Sequence, residues 1–448
     1  MAAEGSGHYM LEKLLDLPKF DNKASASFES WVSRRPPDNL STNAGAPVIA
    51  FQGWRQFKEA FAPELVQAAV AETALGLGRP VRTCLDPFGG SGTTALTCQF
   101  LGIYPTTIEV NPFLADLIAS KLGSYDFELL PRLLGRITDS RLRTKFARGP
   151  FPGAAKTFVE PGHNGRYIFT KKVAERLSTF LKRIDAIEDL PSKRLFRVML
   201  ASTAISVSNV VISGKGRRYR RNWEDVVSSA NDVDDTFIQN SFRAIYDLRR
   251  FKNRAEKKAK LIRGDARLAI SKAKQADLAV FSPPYPNSFD YTDVYNIELW
   301  AGGYLRSAED NRELRMKTIR SHVQIARDFT SGELDSKTLK RTVKRLNAVQ
   351  DSLWNRHIPN MITAYFGDMN IILTELHKKL VAGGRIYAVF GDSRYAGVDI
   401  PVARIIVEML DQAGYRLERC APFRSMRASP QQGGMAELAE TLIVATRL

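Results

Sequence analysis

Two regions of short apolar runs, each alternating with segments of helical period, flank a long basic stretch in which the alternation stops. In the first region, 81–85 and 104–110 read as buried strands, and 91–101 and 111–122 as the helices after them. Pro63 fits the first turn of an earlier helix reaching about residue 75. Between 124 and 258 the pattern is helical and basic, with amphipathic periodicity over 176–187 and 193–207, and a Gly-rich basic loop at 213–221. The alternation resumes with strands at 260–265, 276–281 and 385–390. A helix at 400–414, capped by Gly414, precedes a closing strand pair at 415–423 and 441–447. Residues 305–365 read as a long polar helical stretch. This alternation predicts an α/β fold on a seven-stranded, mostly parallel sheet. The expected division is an irregular N-terminal arm over 1–46, an α/β domain over 47–123 and 259–448, and a helical basic insertion over 124–258.

Composition narrows the class. Hydrophobic residues make up 44% of the 448, which suits a sizeable core, and no apolar run reaches the length of a membrane helix, so no membrane partner is expected. The N-terminus lacks a basic–apolar–small signal pattern, so a cytoplasmic location is expected. Cys84, Cys98 and Cys420 are scattered and the five histidines stand singly, so neither disulfides nor a metal site are expected. The net charge of +17 is clustered: Lys215, Arg217, Arg218, Arg220 and Arg221 fall within eight residues, and another basic run spans 249–263. Clustered positive charge is the footprint of a polyanion, nucleic acid foremost. Those five residues are the candidate DNA-binding set.

Candidate chemistry gathers at strand ends. Asp86-Pro87-Phe88-Gly89-Gly90-Ser91-Gly92-Thr93-Thr94 follows the first strand. Gly90-x-Gly92-x-x-Ala95 within it fits a dinucleotide-type turn, where glycine lets the backbone approach a ligand and the next helix offers free N–H groups. No Lys follows the last glycine, which disfavours a P-loop. Glu109 ends the next strand, 17 residues after Gly92, where an acid accepts hydrogen bonds from ribose hydroxyls. Asp265 ends a third strand; it can receive an adenine amino group or cap a helix starting near 266. Ser282-Pro283-Pro284-Tyr285 ends the strand at 276–281. Its two prolines remove two backbone donors and leave carbonyl oxygens, a hydroxyl and an aromatic plane. That set suits an exocyclic amino group on a flat ring, with Ser282 and a prolyl carbonyl accepting its hydrogens and Tyr285 stacking on the ring. Asn287, Phe289, Asp290 and Tyr291 are candidates for lining such a pocket, and 392–395 for facing it.

Asp86-Pro87-Phe88-x-Gly90-x-Gly92 resembles the cofactor-binding motif of the S-adenosylmethionine-dependent DNA amino-methyltransferases. Ser282-Pro283-Pro284-Tyr285 resembles their catalytic motif in the form typical of the cytosine-N4 enzymes; adenine-N6 relatives usually carry Asp or Asn at the Ser282 position. Phe61-x-Pro63-Glu64-Leu65 is similar to the short motif that closes over the methionine part of the cofactor. The resemblance covers about 47–122 and 260–448. It implies a Rossmann-like methyltransferase fold with an antiparallel last strand, S-adenosyl-L-methionine as cofactor, double-stranded DNA as partner, and a target base flipped into the site. It places Phe61, Pro63, Asp86, Phe88, Gly90, Gly92, Thr93, Thr94, Glu109 and Asp265 at the cofactor, and Ser282, Pro283, Pro284 and Tyr285 at the base. The insertion, which falls between Glu109 and Asp265 and not after the catalytic motif, is the candidate DNA-recognition region. A restriction or phage-defence system is the natural setting.

Other readings compete. Ser282 argues against adenine N6, and RNA base methyltransferases usually begin the catalytic motif with Asp or Asn. A non-catalytic nucleic-acid-binding regulator leaves both intact motifs without a use. A nicotinamide dehydrogenase accounts for the glycine turn alone.

Overall fold

The computed structural model describes residues 26–33, 49–55, 60–140, 149–213, 216–225, 227–254, 258–427 and 437–448. Eleven strands are found among them: β1 (Thr83–Asp86), β2 (Tyr104–Glu109), β3 (Val210–Ser213), β4 (Gly216–Tyr219), β5 (Lys260–Arg263), β6 (Ala276–Phe281), β7 (Leu380–Gly391), β8 (Ser393–Tyr395), β9 (Val398–Ile400), β10 (Tyr415–Arg427) and β11 (Glu437–Arg447). Seven form one sheet in the order β10-β11-β7-β6-β1-β2-β5. Pairing is parallel from β7 to β5, and β11 is antiparallel to both β7 and β10. This is the Rossmann-like methyltransferase sheet expected from the sequence.

The order places the site. From β1 the chain steps outward to β2 and β5, then returns to the other side of β1 as β6. Beyond the carboxyl ends of strands at such a reversal, ligands find a crevice. Asp86 closes β1 and Ser282 follows β6, and the two strands pair directly, Leu85 opposite Ala279. Every residue of β6 is buried, as a central parallel strand covered on both faces requires.

Helices cover both faces. Pro63–Leu77 has Pro63 in its first turn and packs Leu65, Val66 and Ala69 in one apolar cluster with Cys84, Leu278, Val280 and Val389. Ile358–Lys379 and Val402–Gln412 form another core with Phe281, Ile386 and Phe390. The third core joins the insertion to the α/β framework. Leu195, Met199 and Phe237, from helices Leu190–Ser206 and Ala230–Arg250, share it with Leu96, Phe113 and Leu117 from helices Thr93–Phe100 and Pro112–Leu122. Trp31, inside the expected irregular arm, stacks on Phe100 at 4.6 Å in the same core; most of residues 1–46 lie outside the described set.

Three expectations need correcting. The basic segment at 213–221 is not simply a loop: β3 and β4 pair as a hairpin, with β-branched Val210, Val211 and Ile212 supplying strand preference. The stretch 305–365 is not continuously helical. Helices Ala308–Met316 and Lys337–Ala348 are separated by about twenty residues without helix, and Ile358–Lys379 follows a further break. The closing strands β10 and β11 run several residues further than the apolar pattern indicates.

Candidate active site

A cavity of about 460 Å³ opens beyond the carboxyl ends of β1, β2, β5 and β6. Its cofactor side is built almost wholly from residues 86–111. Gly92 adopts φ +81°, and a Cβ there would stand 2.9 Å from Ile118 Cγ1. The turn therefore needs glycine on both conformational and steric grounds. At Gly89 a Cβ would meet Thr107 Cγ2 at 2.4 Å, which explains how closely the loop lies on β2. The buried Lys121 ammonium donates to the Ser91 carbonyl at 2.7 Å and supports the turn from below; burial pushes its pKa down to about 7. Thr94 Oγ1 donates to the Val280 carbonyl at 3.3 Å, tying the turn to β6.

Two carboxylates face this turn. Glu109 accepts from the Gly90 and Asn111 backbone N–H groups, each at 2.8 Å. Asn111 then caps the helix Pro112–Leu122 by accepting from Phe113 N at 3.0 Å, so the strand end and helix start fix Glu109 together. Asp86 accepts from Phe88 N at 2.9 Å. Burial pushes both acids up to about 7, against the backbone N–H bonds that favour their ionised forms, and Asp86 adds a like charge beside Glu109. A ligand bringing ribose hydroxyls and positive charge satisfies such a pair; Phe61 and Phe88 supply apolar and aromatic wall. These residues fit S-adenosyl-L-methionine, which supplies a diol, a purine and a sulfonium.

Asp265 lines the cavity, yet its carboxylate is already engaged. It caps the short helix Ala266–Ala269 through Arg267 N at 3.0 Å and pairs with the Arg267 guanidinium, which also reaches Asp368. Asp265 is thus the helix cap of one sequence reading, and it also stands at the cavity wall.

The target side is assembled from distant parts of the chain. Ser282, Pro283, Pro284 and Tyr285 all line the cavity. The Ser282 and Tyr285 hydroxyls lie 3.1 Å apart, and the Tyr285 hydroxyl donates to Glu440 Oε1 at 2.7 Å. Ser288 holds φ +58°, fixed by its N–H on the Ser321 carbonyl at 3.0 Å and by Gln324 Nε2 on its own carbonyl at 2.6 Å. Those bonds bring Ile319, Ser321 and His322 against Asn287, Phe289 and Tyr291 as the opposite wall. Asp290 does not line the cavity; it caps the short helix Tyr291–Val294 and pairs with Arg315 at 2.5 Å. Residues 392–395 do not line it either. β8 and β9 form a small hairpin behind the two-proline turn, where the Tyr395 hydroxyl donates to the Pro286 carbonyl at 2.9 Å.

The residues that the resemblance places at cofactor or base therefore line one cavity except Pro63 and Gly92, which shape the elements that bear it; of the further pocket candidates, Asn287, Phe289 and Tyr291 line it and Asp290 and 392–395 do not. The sequence reading missed Glu440, Tyr295 and the 314–322 wall. A Glu opening the apolar run of β11 is the one local signal that could have marked Glu440.

The five candidate DNA-binding residues divide. Lys215 lies outside the described residues. Arg217 pairs with Asp293 at 3.1 Å and holds the hairpin beside the target-side loop. Arg220 is engaged as a structural cap: its guanidinium donates to the Ser208, Ser206 and Ile205 carbonyls at 2.8–3.2 Å, closing the end of helix Leu190–Ser206. Arg218 and Arg221 are exposed.

Fold and donor set define the class: an S-adenosyl-L-methionine-dependent methyltransferase. The likeness that the motifs carry extends over most of the chain. It is 26% identical over 413 residues to the type II methyltransferase M.BsoBI of Geobacillus stearothermophilus, covering 82% of this chain and 79% of that one. It is 24% identical to the type II methyltransferase M.AvaI of Nostoc sp., covering 89% of each. No family model matches the chain. Among solved structures, TrmN from Thermus thermophilus aligns at 12% identity with a TM-score of 0.30, over 90% of this chain and 53% of that one, too slight a likeness to bear on fold or function.

Proposed function

We propose that the protein transfers a methyl group from S-adenosyl-L-methionine to the exocyclic N4 of a cytosine flipped out of double-stranded DNA. The observation that carries this reading is that Ser282, at the end of β6, shares one cavity with Asp86 and Glu109 at the ends of β1 and β2. The likeness to type II methyltransferases supports DNA as the substrate. Ser282 in place of an acid or amide supports cytosine over adenine.

Glu109 receives the ribose hydroxyls, Asp86 and Glu109 offer negative charge to the cofactor's cationic end, and Asp265 stands at the wall for the purine. The cofactor supplies an electrophilic methyl group. Ser282 Oγ and the carbonyls of the two-proline turn accept hydrogens from the target amino group. Those acceptors draw its lone pair out of conjugation with the ring and stabilise the positive charge that develops on nitrogen. The turn and the 314–322 wall hold the base in line with the donor, and such positioning supplies up to about 7–11 kcal/mol in favourable cases. Flipping costs a few kcal/mol, offset by phosphate contacts. Arg218 and Arg221 are candidates for those contacts, as is the exposed basic face of helix Lys337–Ala348, which carries Lys337, Lys340, Arg341, Lys344 and Arg345. The insertion, through its hairpin beside the target loop, is the proposed sequence reader, and a restriction or phage-defence system the proposed setting.

The experiment is methyl transfer from labelled S-adenosyl-L-methionine to mixed-sequence duplex DNA and to RNA, followed by identification of the modified nucleoside. N4-methylcytosine in DNA is expected. N6-methyladenine overturns the target, and label in RNA alone overturns the substrate class.

A further inference from the structure

The hydroxyl pair on the target side ends on a carboxylate from the far end of the chain. Glu440 sits on β11, paired opposite Gly391 of β7, and only 3% of it is exposed. Its Oε1 accepts the Tyr285 proton at 2.7 Å, and Tyr285 Oη lies 3.1 Å from Ser282 Oγ. We propose that Glu440 is a positioning residue of the transfer reaction: it sets the direction of this hydrogen-bond chain so that Ser282 meets the target amino group as an acceptor. The inference rests on Ser282 being the group that receives the amine.

Proton counting fixes the direction. A phenol has one proton. Given to Glu440, it is not available to Ser282, so the Ser282–Tyr285 bond must run from the serine hydroxyl to the phenolic oxygen. Serine also has one proton, and with that proton turned to Tyr285 its lone pairs remain for the cavity. An amino group about to be alkylated presents hydrogens and needs acceptors. Without a fixed acceptor behind Tyr285, the phenol proton can turn to Ser282, and the serine proton then points at the amine, donor against donor. The same chain gives the surplus proton a balanced exit after transfer. It passes from the amino nitrogen to Ser282 Oγ as the serine proton moves to Tyr285 Oη and the phenol proton moves to Glu440. Each hydroxyl ends with one proton and the carboxyl with one.

The test uses the full chain, duplex DNA and labelled S-adenosyl-L-methionine at saturating concentration, with Glu440→Gln, Tyr285→Phe and the double variant. The amide in Glu440→Gln keeps the shape of the carboxylate but removes its charge and replaces one acceptor oxygen with an N–H donor, so the direction of the chain is no longer fixed. Glu440→Gln is expected to slow single-turnover transfer about 30- to 100-fold. Its cofactor affinity is expected to stay within about twofold of the parent, and its melting temperature to be unchanged. Tyr285→Phe is expected to lose a similar factor, and the double variant no more than Tyr285→Phe alone, because the residues act as one unit. Glu440→Gln transferring within threefold of the parent overturns the proposal, as does a double variant whose losses multiply. If Glu440→Gln does not fold, Tyr285→Phe decides, and a rate within threefold of the parent overturns it. The parent's product separates the two readings: N6-methyladenine would defeat the cytosine assignment and leave the chain to be judged by the rate ratios, whereas a parent that transfers to no DNA base defeats both.

Discussion

The two sides of the cavity are built in opposite ways. The cofactor side comes mainly from one continuous stretch, 86–111, in which a strand end, a glycine turn and a second strand end place Asp86, Gly90 and Glu109 together, with Phe61 and Asp265 added at its wall. The target side comes from 282–295, 314–322 and Glu440, joined by Ser288 on Ser321 and by Tyr285 on Glu440. A local assembly tolerates change elsewhere in the chain. A side assembled from three segments depends on each of the contacts that join them. Damage to the two sides should therefore separate cleanly into cofactor affinity and transfer rate.

Glu109→Ala should have the largest effect. It removes the acceptor of two buried N–H groups as well as the one proposed for the ribose, and cofactor affinity should fall by at least about 100-fold by calorimetry. Ser282→Ala should leave that affinity within about twofold and slow single-turnover transfer about 100-fold. Loss of cofactor binding in Ser282→Ala would break the division between the sides.

A smaller effect concerns pH. Asp86 and Glu109 are raised to about 7 by burial, so below that pH the protein without cofactor holds them in their neutral forms. The stability they contribute is fully present below about pH 4 and is lost as pH rises through about 7. A cationic ligand favours the ionised forms, so its binding releases protons, and its affinity should weaken as pH falls below about 7. Calorimetry in buffers of different ionisation enthalpy reads that release directly.

The smallest effects belong to the hairpin. Neutralising Arg218 and Arg221 together should weaken DNA binding and reduce the salt slope by about 2. Arg220→Ala should instead cost about 1 kcal/mol of stability, seen in thermal melts, because it caps a helix with three carbonyl bonds.

The same contrast explains what the sequence could reveal. The cofactor side was legible because each part is a local signal: a glycine that must adopt positive φ, an acid at a strand end, an Asn-Pro helix start. The sheet was legible because buried parallel strands are short apolar runs, as in β6. Glu440 was not, since nothing near it in sequence shows that the Tyr285 hydroxyl lies beside it. The 314–322 wall was hidden in a polar stretch read as helix; Ile319, Ser321 and His322 turn inward there for tertiary reasons. Arg220 read as a phosphate ligand because charge clusters do not show which members a helix end will claim.

The central claim is that cofactor and target meet in this one cavity. Its most direct test is a crystal structure with S-adenosylhomocysteine. The predicted result is ribose hydroxyls on the Glu109 carboxylate, with Ser282 Oγ facing the sulfur side of the nucleoside. A nucleoside bound elsewhere, or in this cavity with Glu109 bonded only to Gly90 and Asn111, would contradict it.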